Sequence, residues 1–122
     1  VLSPSKKIFE KPKDEKDANR MLRELSGATH QVLTGVSIVY KQAKINFSFT
    51  ETTQVEFYDL KDKEIYYYIK YFEPFDKSGS YGIQDFSSMF VKSINGCYFN
   101  VVGLPISRLF YFLKKFNLIQ FS

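Results

Sequence analysis

Apolar residues recur along this chain at two spacings, and the switches between them divide it into elements. Ala18, Met21, Leu22 and Leu25 follow one another at intervals of three and one, then three, the repeat of a helix with one buried face. Pro12 bars an earlier start, and Asp14 is placed to cap the helix. Asp17 lies three residues on, as in a capping box with Asp in place of Glu. Gly27 supplies a left-handed exit, so the spacing predicts a helix over about 14–25. Residues 31–40, QVLTGVSIVY, are dense in β-branched side chains and predict a strand. Residues 45–49 and 52–57 alternate apolar with polar, which predicts two half-buried strands. Helical spacing returns at Ile65, Tyr68, Ile69 and Phe72, giving a helix over 61–72 that Pro74 ends.

Residues 73–84, EPFDKSGSYGIQ, fit neither period. Their glycine and proline breaks predict a loop of specified shape, the kind that carries function on a rigid scaffold. Beyond it, apolar runs 89–94 and 97–102 flank Asn95-Gly96, a turn signal that predicts a β-hairpin. Residues 106–119 place Leu109, Phe110, Leu113 and Phe116 on one face of a last amphipathic helix. The order is helix, three strands, helix, hairpin, helix. That is an α/β fold with a mixed, partly antiparallel sheet and flanking helices. At 122 residues the chain, 1–122, is read as one domain.

The net charge of +4 suits phosphate-bearing ligands, but its distribution excludes a nucleic-acid stripe. Residues 1–20 mix six basic with four acidic side chains, and the tail after Arg108 holds only Lys114 and Lys115. No apolar run approaches the ~20 residues that cross a bilayer, so no membrane partner is expected. The start VLSPSKKIFE has no hydrophobic signal core. Cys97 is the only cysteine, which excludes an intrachain disulfide and fits a reducing, cytoplasmic setting; its apolar surroundings predict a buried thiol.

Few residues carry chemistry. Lys11, ahead of the first helix, reads either as a phosphate clamp or as a solvated lysine in a charged segment. Asp76 and Lys77 open the loop. The carboxylate could hold Mg²⁺ and the ammonium phosphate, or the two could pair and cap the loop. Gly79 and Gly82 let the backbone approach a ligand. Gln84 has the donor and acceptor needed to read a base edge, and equally to brace the loop. His30 has no second His or Cys to share a metal, so packing is its expected role, and no zinc spacing or Ser-His-Asp order is present.

Read in order, EKPKDEKDANRML (10–22), LSGATHQVLTGV (25–36), TTQVEFYDL (52–60), EPFDKSGSYGIQ (73–84) and NGCYFNVVGLP (95–105) resemble the Maf family of septum-formation-inhibitor-like nucleoside triphosphate pyrophosphatases. The resemblance covers about residues 8–113. It implies a nucleotide house-cleaning hydrolase that cleaves a nucleoside triphosphate, pyrimidine or modified, to the monophosphate and pyrophosphate with Mg²⁺ or Mn²⁺. It implies an elongated Maf/ITPase-like fold with the nucleotide in a cleft. Lys11 would be the KP-motif lysine facing the phosphates, and Gln84 the substrate-selecting glutamine. Asp76, Lys77, Gly79 and Gly82 would belong to the loop bordering the cleft. The family's SxxR loop and the ADT aspartate proposed as general base lie ahead of the KP motif, so the chain is expected to represent the C-terminal two-thirds of the fold without the first strands. The sheet edge those strands would cover is expected to promote self-association, with a homodimer as its simplest form. A non-catalytic nucleotide- or protein-binding remnant is the alternative expectation.

Overall fold

A computed structural model describes residues 1–121. Helix α1 (Glu15–Leu25) leads into the long strands β1 (Thr29–Tyr40) and β2 (Ile45–Phe57). Helix α2 (Asp62–Phe72) follows. Short 3₁₀ turns at Pro74–Asp76, Ser78–Ser80 and Phe86–Phe90 then carry the chain to β3 (Val91–Asn95), α3 (Tyr98–Val102) and α4 (Ile106–Lys115). The sheet has the order β1-β2-β3 and is antiparallel throughout.

The first helix forms as its sequence dictates. Asp14 Oδ1 accepts the Asp17 N–H at 2.8 Å, and Asp17 reaches back to the Lys13 N–H, one residue before the cap. Gly27 follows with φ +63, and its N–H donates to the Tyr58 carbonyl. The buried face of α1 carries Ala18, Met21, Leu22 and Leu25. It packs with Ile65, Tyr68 and Ile69 of α2, Val55 and Phe57 of β2, and Phe9, Tyr81 and Phe90 from the connecting segments.

Two expectations fail. Residues 45–49 and 52–57 form one strand, because no turn residue separates them and alternation continues through Thr50 and Glu51. Twelve consecutive pairs then join β1 to β2, from Thr29↔Glu56 to Tyr40↔Ile45. The predicted hairpin at Asn95-Gly96 is also overturned. The second run, 97–102, coils into α3 instead of returning as a strand. Gly96 lies so close to β2 that a side chain there would meet Thr53 Cα at 3.0 Å. Thr53 Oγ1 then accepts the Cys97 N–H at 3.1 Å, which turns the chain across the sheet. Cys97 itself is half-buried rather than buried.

The sheet has two halves. The proximal half lies beneath α1 and α2. The distal half, β1 beyond Gln31 with the start of β2, projects as a two-stranded ribbon. Phe47 and Phe49 on one face of it meet Phe112 of α4 at 4.6 and 5.0 Å between ring centres. On its outer edge β1 exchanges hydrogen bonds with Leu2 at Gln31. Past Gln31 no strand pairs with that edge among the described residues.

Truncating the α1 core should cost far more than removing its cap. Leu22→Ala is expected to lower unfolding free energy by about 2–5 kcal/mol, and Asp14→Ala by about 1 kcal/mol. Urea denaturation of both variants checks the difference.

Candidate functional site

A cleft of about 460 Å³ opens between three segments, with Val1 also in its lining. The loop 76–85 forms one wall, Asn100–Gly103 the other, and Val32, Leu33 and Thr34 of β1 the floor. Its size falls within the range of small-molecule sites. Of the residues singled out from sequence, Asp76, Lys77, Gly82 and Gln84 line it.

Lys77 lies across the loop. Its Nζ stands 3.1 Å from Asp76 Oδ1 and 3.4 Å from Asp85 Oδ2. Gly82 makes room for it: a Cβ there would meet Lys77 Cε at 3.0 Å. The hydrogen bond from Lys77, foremost, holds the Asp76 carboxyl below the usual carboxylate range. Partial burial pulls the Lys77 ammonium down, but its bonds to Asp76 and Asp85 outweigh this and leave its pKa raised. The two groups thus pair, one of the two readings open from sequence.

Gln84 is exposed at the cleft, and its side chain makes no hydrogen bond with another described residue. Lys11 is exposed and stands outside the cleft lining, yet near enough for its charge to add to the lowering of the Asp76 pKa. Gly79 lies buried beneath the loop with φ +72, and its N–H donates to the Glu10 carbonyl at 3.1 Å. That bond fastens the loop to the segment just before Lys11.

Two residues that position the cleft were not singled out from sequence. Asp85 bonds Lys77 and caps the Phe86–Phe90 turn through the Ser87 N–H. Its signal was an Asp two residues before a Ser at the end of the loop. Asn100 is fully buried behind the opposite wall. Its Nδ2 donates to the Val32 carbonyl at 3.0 Å, the Glu51 carbonyl at 3.2 Å and Thr53 Oγ1 at 3.0 Å. One polar side chain within CYFNVV was the available hint.

His30 packs behind the loop, as expected. Its Nε2 lies 2.6 Å from Tyr81 Oη, its ring meets Phe57 and Tyr81 edge-on, and Nδ1 has no partner. Burial depresses its pKa to about 4 and pushes that of Tyr81 up. No group of three His, Cys, Asp or Glu side chains able to hold a metal occurs among the described residues. Asp76 and Asp85 share one lysine ammonium between them, so they do not fit a resident divalent ion.

The unfolded state binds a proton to His30 below about pH 6.5, and the folded state only near pH 4. Stability is therefore full above pH 6.5 and falls as pH drops toward 4, by about 3 kcal/mol from this residue. Urea denaturation at pH 7 and pH 4.5 should show the fall, and His30→Gln should flatten it. Asn100→Ala removes the side-chain donor shared by the Val32 and Glu51 carbonyls and Thr53 Oγ1 and should cost about 1–3 kcal/mol, read by the same denaturation at pH 7.

The family described as Maf-like protein matches residues 1–116. A dTTP/UTP pyrophosphatase of Carboxydothermus hydrogenoformans is 49% identical over 117 residues, covering 96% of this chain and 63% of that protein. One of Thermosipho africanus is 49% identical over 122 residues, covering 100% and 63%. One of Bacillus cereus strain Q1 is 48% identical over 118 residues, covering 97% and 61%. The chain thus spans somewhat over three-fifths of the length of these relatives. With the family matched over nearly every residue, and relatives matched at almost half of the aligned positions, the chain belongs to the Maf family.

Proposed function

We propose that this chain carries the nucleotide-selecting part of a Maf-type pyrophosphatase, which hydrolyses a nucleoside triphosphate to the monophosphate and pyrophosphate. The observation that carries the reading is the free amide of Gln84 at a cleft of nucleotide size, within a chain about half identical to proteins named dTTP/UTP pyrophosphatases. Those names favour a pyrimidine base. An amide can present both the donor and the acceptor that a pyrimidine edge requires. Lys11, at the margin of the loop and without an ion-pair partner among the described residues, is the cation we assign to the phosphates. Asp76, Lys77 and Asp85 hold the loop's shape, and Gly82 lets Lys77 take its place.

The geometry supports binding more fully than attack. In-line hydrolysis needs a group to take a proton from water, and a divalent ion to offset phosphate charge. Neither cleft carboxylate is spare for either task, since both hold Lys77. The base and the metal ligands are therefore assigned to parts of the family fold other than this loop.

The test is pyrophosphate release from dTTP, UTP, CTP and ATP with Mg²⁺ or Mn²⁺, alongside nucleotide affinity by calorimetry. Lys11→Ala should lower affinity for every triphosphate about 10- to 100-fold, the worth of a charged hydrogen bond. Gln84→Ala should change the ranking of the bases by about 3- to 10-fold and spare inorganic tripolyphosphate. Equal affinity of both variants and the parent for dTTP would overturn the assignment. Binding without turnover would favour a remnant that recognises nucleotides.

A further inference from the structure

The net positive charge of this protein is concentrated on one lobe. The ribbon 32–53 and the segment 98–121 together hold Lys41, Lys44, Arg108, Lys114 and Lys115 against one acid, Glu51. The rest of the chain has twelve basic residues against the other twelve acidic ones. In sequence the two lysine pairs are seventy residues apart and each looks sparse. The fold unites them. The stacking of Phe47 on Phe116, 5.2 Å between ring centres, brings the end of α4 to the tip of the ribbon, three residues from Lys44. Arg108 is engaged by Glu51 at 2.7 Å, whereas the four lysines form no ion pair among the described residues.

The same lobe exposes apolar side chains. The inner face of α4 rests on the ribbon, and its outer face presents Ile106, Phe110 and Tyr111 to solvent at 41–55% exposure. Leu104 precedes them, and Phe121 extends the stripe, its ring 6.0 Å from that of Phe110. Lys114 Nζ lies 4.8 Å over the Phe110 ring, its stem along the apolar surface and its charge at the rim. A basic rim around an exposed aromatic and aliphatic stripe is the pattern of a helix that lies in a membrane interface.

We propose that the outer face of α4, with the lysine-bearing tip of the ribbon, docks on an anionic lipid bilayer. Charge complementarity selects an anionic partner. A second copy of the chain in a two-fold contact would set lysines against lysines. A nucleic acid would satisfy the cations and leave Leu104 and Ile106 without a partner. The contact proposed is a surface one, whereas the expectation of no membrane partner rests on the length needed to span a bilayer. The proposal is independent of the nucleotide cleft.

Flotation of the protein with phosphatidylcholine vesicles, with and without phosphatidylserine, tests it. Partition should be about tenfold or more stronger onto the anionic vesicles and should weaken with salt. Lys114→Glu with Lys115→Glu should cut it by roughly 25-fold, about fivefold per lysine. Phe110→Ser with Tyr111→Ser should weaken it independently of salt. Matching circular dichroism melts would show that each variant folds; should the aromatic pair unfold, the lysine pair alone decides. Equal partition onto neutral vesicles, or flotation untouched by the lysine changes, would overturn the proposal. So would a lysine-dependent gel shift of oligonucleotide with no flotation, or light scattering showing a dimer in which α4 is protected from hydrogen exchange.

Discussion

The rest of the structure depends on the continuous pairing of β1 with β2. Its first pairs run under α1 and α2, where Val55 and Phe57 enter the core. Its middle pairs, Val32↔Thr53 to Thr34↔Glu51, form the floor of the cleft and supply the carbonyls that hold Asn100. Its last pairs stand clear of the core and give α4 a surface to rest on. One ladder therefore fixes the spacing between the hydrophobic centre, the cleft and the basic lobe. A slip of one residue would turn every side chain to the opposite face, so this register is strongly specified wherever a face is buried.

Local chemistry made much of this legible. The cap at Asp14, the exit at Gly27 and the stop at Pro74 act within a few residues of themselves, and sequence spacing reveals such effects directly. What stayed hidden depended on contacts between distant segments. Asn95-Gly96 carries a strong hairpin signal, but the chain there meets Thr53, more than forty residues away. A buried amide at Asn100 then makes the helical path favourable, since three acceptors on two strands await its donors. Tertiary hydrogen bonds overrode a local turn preference.

The candidate site divides in the same way. Asp76, Lys77, Gly82 and Gln84 were visible because they sit together in one unusual loop. The opposite wall was marked only as part of the motif NGCYFNVVGLP, because Val101–Gly103 becomes a wall only once α3 has crossed the sheet. Lys11 and Gly79 show a third case. Sequence marked both, and the structure puts them beside the cleft rather than in it, with Gly79 acting through its bond to Glu10. The glycines thus serve different ends: Gly79 takes a left-handed turn beneath the loop, while Gly82 yields space to Lys77.

The junction at Cys97 also makes the protein convenient to observe. Its N–H donates to Thr53 Oγ1, and its carbonyl accepts from the same hydroxyl, so the residue is anchored at both polar atoms of its backbone. The side chain stays half-exposed, and it is the sole thiol in the chain. A single fluorophore or spin label would therefore attach at one defined place, at the root of one cleft wall. Its signal would report the surroundings of that wall as a ligand enters, with no other cysteine in the chain to remove beforehand.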